Sequence, residues 1–151
     1  MRLSATMIGV LLAMGGSVIG AHAAESYCPD PTHAGPAKVP ADLVAAVAKA
    51  FAINANAVDD AAFVRCADAT LMGCYVGANL VCDKADTRVV LPGATTWCRK
   101  NPGSPGIPMS ATGHATIYDW SCNGTTAIAG KIAMPVDPQG FIAANWKRIP
   151  Q

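Results

Sequence analysis

Phe63-Val64-Arg65-Cys66-Ala67-Asp68-Ala69-Thr70-Leu71-Met72-Gly73-Cys74-Tyr75-Val76 is the stretch on which the fold turns. β-Branched and aromatic side chains fill both ends, and the small polar run Ala67 to Thr70 between them reads as a turn, so the segment is expected to be a β-hairpin. An antiparallel hairpin here, after helical periodicity and before further strands, points to an α+β domain.

Upstream, Pro40 and Asp42 mark a helix start, and Leu43, Val47, Ala50 and Phe51 recur at three- to four-residue spacing along one face. Asn54 and Asn56 are candidate stops, although the alanine-rich run to Ala62 is able to add a further turn or two. Residues 24–40, with Pro29, Pro31, Gly35, Pro36 and Pro40, read as an extended proline-rich arm. Residues 1–23 read as a signal peptide: Arg2, an apolar run from Met7 to Ile19, and the small-x-small site Ala21-His22-Ala23. Export to the periplasm or the medium is therefore expected, with residues 41–151 as a single globular domain.

Downstream, Gly77 to Asp86 reads as a loop, and Pro92 opens a short second helix that must end by Asn101, before Pro102. Asn101 to Pro108 is a Pro/Gly-rich surface loop. Three strands are expected to close the chain: His114 to Cys122, Thr125 to Met134 across Asn123-Gly124, and Phe141 to Trp146 after a type I turn at Asp137-Pro138-Gln139-Gly140. The expected whole is an N-terminal helix packed on an antiparallel sheet of about five strands, stabilised by disulfides.

Six cysteines (Cys28, Cys66, Cys74, Cys82, Cys98, Cys122) in an exported chain imply three disulfides. Local geometry suggests Cys66 with Cys74 across the hairpin turn, Cys82 with Cys98, and Cys28 with Cys122. Cys-x-x-Cys spacing is absent, which disfavours metal or haem ligation, and no cofactor is expected. Eleven Lys and Arg balance ten Asp and Glu, so the chain lacks the electrostatic footprint of a nucleic-acid binder, and no apolar stretch suits a stable membrane anchor.

Catalytic constellations are equally sparse. Ser26, Ser104, Ser110 and Ser121 sit in no Gly-x-Ser-x-Gly turn, and Gly73 and Gly77 are misplaced for a phosphate cradle. Glu25 is the single glutamate of the exported part, and Asp59-Asp60 matches no calcium loop. His114, Thr116, Tyr118, Trp120 and Cys122 would share one face of a strand, with Asp119 opposite. That face is either core, with His114 bonded to a carbonyl at its wet end, or the lining of a cleft in which His114 and Tyr118 meet a ligand. The loop Cys74 to Asp86 carries Asn79, Lys84 and Asp86, which either present recognition groups or serve as ordinary turn and surface residues.

Cys74-Tyr75-Val76-Gly77-Ala78-Asn79-Leu80-Val81-Cys82 and Thr112-Gly113-His114-Ala115-Thr116-Ile117-Tyr118-Asp119-Trp120-Ser121-Cys122, with Gly140-Phe141-Ile142 leading to Trp146, resemble a group of uncharacterised small exported proteobacterial proteins. The resemblance spans roughly Phe63 to Trp146 and implies export and one domain, but no activity. Two expectations remain. One is a non-enzymatic protein that binds a periplasmic protein partner, as accessory subunit or hydrolase inhibitor, through loops 77–86 and 101–113. The other is a small enzyme or ligand-binding protein using a cleft around His114.

Overall fold

The computed structural model describes residues 27–28, 31–77 and 80–150. The expected signal peptide and Asn79 lie outside these residues. The hairpin forms as expected: β2 (Ala62–Ala67) and β3 (Thr70–Tyr75) pair in unbroken antiparallel register from Ala62↔Tyr75 to Ala67↔Thr70. Asp68 and Ala69 close it with φ of 47° and 60°, the two left-handed residues that a type I′ turn requires.

β1 (Ala37–Lys38) adds to β2, and β6 (Lys147–Arg148) adds to β3, making a four-stranded antiparallel sheet in the order β1-β2-β3-β6. Both of its faces are covered. Helices α1 (Val44–Phe51) and α2 (Ala55–Ala61) bury Leu43, Val47 and Val58 against Val64, Leu71 and Ile149. Each such side chain contributes roughly 1.5–3 kcal/mol by leaving water. The opposite face packs Phe63, Met72 and Cys74 against Leu80, Phe141 and Trp146.

A second, separate sheet is the hairpin β4 (Tyr118–Asn123) and β5 (Thr126–Ile132). Gly124, at φ 56°, takes the first of its two turn positions. Helix α3 (Pro92–Lys100) lies on this hairpin, with Leu91, Ala94 and Cys98 at helical spacing facing Trp120, Ala127 and Ala129. The four-residue helix α4 (Met109–Thr112) follows the Pro/Gly loop.

Several expectations are corrected. The strands divide between two sheets rather than forming one of five strands, because α3 rather than another strand covers the β4–β5 hairpin. The N-terminal helix is two helices: α1 stops at Ala52, in the left-handed region, and Asn54 begins α2 with extended backbone. His114 precedes the strand, which starts only at Tyr118. Phe141 and Ile142 make isolated bridges and residues 143–145 form a 3-10 turn, so the strand expected over Phe141 to Trp146 does not form, and the last strand follows it at Lys147–Arg148. The turn at Asp137 to Gly140 forms, with the Gly140 N–H donating to the Asp137 carbonyl at 2.9 Å. Within the proline-rich arm, residues 31–34 are a 3-10 turn and Ala37–Lys38 enter the sheet.

All six cysteines are in disulfides, but none in the expected pairing. The bonds are Cys28–Cys66, Cys74–Cys82 and Cys98–Cys122. Strand parity explains why Cys66 and Cys74 cannot meet. Cys66 lies opposite Leu71 and Cys74 opposite Phe63, and positions three apart on one strand point to opposite faces. Cys66 therefore joins the helix-covered core and Cys74 the aromatic one.

Candidate functional site

The broadest cleft described, about 400 Å³, lies where the Pro/Gly loop and α4 approach the β4–β5 hairpin. Its walls are Ile107, Met109, Thr116, Tyr118, Trp120 and Met134, with Asp119 at the rim. Trp120 is fixed from two sides. Its indole N–H donates to the Thr116 hydroxyl at 2.8 Å, and Tyr118 meets it edge-on with ring centroids 6.4 Å apart. The loop is fastened along β4 by Ile107 N–H to the Trp120 carbonyl (3.0 Å) and Cys122 N–H to the Ser104 carbonyl (2.8 Å). Cys98–Cys122 ties the same strand to α3. The cleft thus has rigid aromatic walls and an exposed apolar lip at Met109, which is 43% accessible.

Charge enters only at the rim. Lys131 faces Asp119 at 3.6 Å, with both side chains largely exposed, so the carboxylate remains open to other cations. A bulge between Tyr118 and Trp120 sets Gly130 and Lys131 against Asp119 and carries Ile132 to the aromatic side, where it is 59% exposed.

The residues singled out from sequence do not converge. Tyr118 lines this cleft, and its hydroxyl donates to the Thr87 carbonyl at 3.4 Å. His114 is half-buried in the turn before it, lines neither of the clefts described here, and has no hydrogen-bond partner at Nδ1. Asp86 is joined to this region through its backbone, by its N–H to the Ala115 carbonyl (2.7 Å) and its carbonyl from the Ile117 N–H (3.3 Å). Its carboxylate is taken by Arg88, whose hydrogen bonds hold the acid below the usual carboxylate range against the opposing effect of burial. Lys84 sits elsewhere, in a cleft of about 340 Å³ with Gly35, Pro36, Gln139 and Phe141, its ammonium 5.9 Å from the Phe141 ring centre. Asp119 and His114 form no pair.

Sequence reading missed the polar centre beside that second cleft. Arg65 is 1% exposed, and its guanidinium lies over Phe141 and Trp146, 4.3 and 4.5 Å from their ring centres. It pairs with the Asp137 carboxylate and donates to the Gln139 side-chain carbonyl. Gln139 in turn donates to the Cys66 carbonyl at 3.0 Å. Burial pushes Asp137 upward, but the Phe141 N–H, the Arg65 charge and hydrogen bond and the Gln139 N–H together hold it below the usual range. The one available signal was an arginine in an otherwise apolar strand. The centre fastens loop 137–141 to the sheet; with Arg65 sealed, it offers no open cation to a ligand.

Among the described residues no group of three or more His, Cys, Asp or Glu is placed to hold a metal, and no helix is long and apolar enough to cross a membrane. No protein-family model, curated protein or solved structure matches the chain.

Proposed function

We propose that this chain is an exported, disulfide-braced protein of non-enzymatic type that binds a periplasmic or secreted protein partner, as an accessory subunit or as an inhibitor of a hydrolase. The observation that carries the reading is the aromatic cleft beside Met109: a rigid apolar socket with an exposed lip and a single carboxylate at its rim. Such a socket suits an apolar anchor side chain on a loop of the partner, flanked by a basic residue that meets Asp119. Three disulfides and the expected signal peptide agree with an oxidising compartment. The cleft also shifts the recognition surface from loop 77–86 toward loop 101–113, since residues 80–86 are tied down by the Lys84↔Phe141 and Asp86↔Thr116 bridges. The alternative, a small enzyme or ligand-binding protein working around His114, has less support, because His114 stands outside the cleft that Tyr118 lines.

The test is to express the chain with its own leader, carrying a photo-crosslinker at Met109 or, as a control, at Asp59 on α2. One exported protein captured stoichiometrically at position 109 and not at 59, with capture at 109 lost when Asp119→Lys is added at unchanged melting temperature, supports the proposal. Equal capture at both positions, or none, overturns it.

A further inference from the structure

A strand at the edge of a sheet carries unpaired backbone N–H and C=O groups, and folds blunt such edges by shortening, covering or charging them. In the larger sheet the edge strands β1 and β6 are two residues each. In the smaller one β4 is covered by loop 103–107, whose Ile107 N–H reaches the Trp120 carbonyl (3.0 Å) and whose Ser104 carbonyl accepts the Cys122 N–H (2.8 Å). β5, seven residues long, has β4 as its one neighbour in the sheet. The two bonds to the loop also fix which way the groups of β5 point. Because Trp120 and Cys122 turn these backbone groups away from β5, their register partners Ala129 and Ala127 turn theirs away from β4, onto the open edge. Among the described residues, no backbone hydrogen bond outside the ladder reaches residues 126–132.

The open groups are symmetric about one residue. Ala127 and Ala129 flank Ile128, and the bulge at Gly130 and Lys131 ends the regular edge. An antiparallel copy of the same edge, with a two-fold axis at Ile128, brings Ala127 opposite the second copy's Ala129 and Ala129 opposite its Ala127, each pair exchanging both N–H···O bonds. Ile128 is 42% exposed and points away from the face on which Ala127 and Ala129 pack, so across the axis it meets its own counterpart. Charge favours this pairing over the parallel one. Residues 125–130 are uncharged, and the antiparallel register sets the two Lys131 side chains about 20 Å apart, beyond screened repulsion, whereas a parallel in-register pairing would set them side by side. We infer that β5 is a self-association edge through which two copies of this chain join into one antiparallel sheet, in the order β4-β5-β5-β4. Loop 103–107 covers the outer edge of each β4, so the assembly closes at two. The paired edge is much smaller than the roughly 800 Å² a side of a stable interface, so the dimer forms only at high concentration. The inference does not depend on the aromatic cleft or on what fills it.

The test is sedimentation equilibrium of the protein expressed with its own leader, from about 10 μM to about 1 mM. The weight-average mass is expected to rise toward that of two chains, and the backbone amide NMR signals of Ala127 and Ala129 to shift with it. Ile128→Lys, an exposed substitution that sets two like charges on the axis, should stay at the mass of one chain throughout. Cysteine probes test the register. Ile128→Cys should form an inter-chain disulfide under mild oxidation, since opposed residues of a non-hydrogen-bonded pair lie about 4.5 Å apart between Cα atoms. Ile132→Cys replaces a more exposed side chain, at 59%, yet this register holds its two copies about 25 Å apart, and it should crosslink about tenfold more slowly or less. A mass that stays at one chain at the highest concentration, association of Ile128→Lys equal to the parent, or crosslinking at position 132 as fast as at 128 overturns the inference.

Discussion

The two hairpins use the same secondary structure for different ends. β2–β3 runs without a break in register, is covered on both faces, and packs Arg65 against two aromatic rings that meet each other edge-on. β4–β5 carries a bulge, packs one face on α3, and leaves Asp119, Ile128, Lys131 and Ile132 in solvent. A strand pair sandwiched between layers has no surface left for recognition; one covered on a single side keeps an edge and a rim. The difference teaches where to look for binding: the cleft bounded by α4 lies beside the second hairpin, and the most buried charge lies in the first.

The sharpest way to break this comparison is to empty the first hairpin of its charge. Arg65→Met strands the Asp137 carboxylate and is expected to lower unfolding stability by about 3–5 kcal/mol in urea denaturation. An unchanged midpoint would mean that the Phe141–Trp146 contact, not the ion pair, holds loop 137–141. The same pair predicts acid sensitivity. Asp137 has a folded pKa below its unfolded value of about 3.9, so its contribution is present above that pH and lost as pH falls through the folded value. A shallower loss of stability in acid is therefore expected in Arg65→Met than in the parent.

Next in size is the bond that braces the cleft. Replacing Cys98 and Cys122, 24 residues apart, by alanine should cost about 3.5 kcal/mol from loop entropy, against about 2.5 kcal/mol for Cys74 and Cys82, 8 apart. The decisive contrast is functional: the first pair of substitutions should also loosen Met109 and weaken partner capture, which the second should leave intact. A smaller effect of opposite sign lies in the turn of the first hairpin. Ala69 bears a Cβ at φ 60°, so Ala69→Gly should stabilise by about 1 kcal/mol in thermal unfolding, whereas Gly124→Ala in the second should destabilise. Smallest of all, Lys131→Met removes only a rim contact and should shift stability by less than about 0.5 kcal/mol. A larger loss would show the β4–β5 rim to be more tightly organised than its exposure suggests.

Legibility followed the range of the interactions. The hairpin at 63–76, the short helix opened by Pro92 and closed before Pro102, and the turn at Asp137 to Gly140 were readable because each is decided by a few adjacent residues, and the turn expected at Asn123-Gly124 forms one residue later, at Gly124-Thr125. Asn101 was placed at a helix end for the same reason, whereas Tyr118 was left between a core face and a cleft shared with His114. Lys84, Asp86 and His114 were singled out by composition, yet they diverge in space, since residues 80–86 bridge to Phe141 on one side and Thr116 on the other. Met109 and Ile128 carried no local mark: an exposed apolar side chain acquires meaning only from what stands opposite it.

By itself the sequence determined local conformation, through proline and glycine backbone limits, helical spacing and strand parity, and it required an even set of cysteines to find partners among themselves. Tertiary structure alone decided which cysteines those were, that the strands would divide into two sheets, and that Arg65 would be enclosed by Asp137, Gln139, Phe141 and Trp146. The physical reason is that backbone preferences act over a few residues, whereas disulfides, sheet order and buried charge depend on side-chain vectors set by the packing of segments far apart in the chain, such as Arg65 with Gln139 and Met72 beside Arg148.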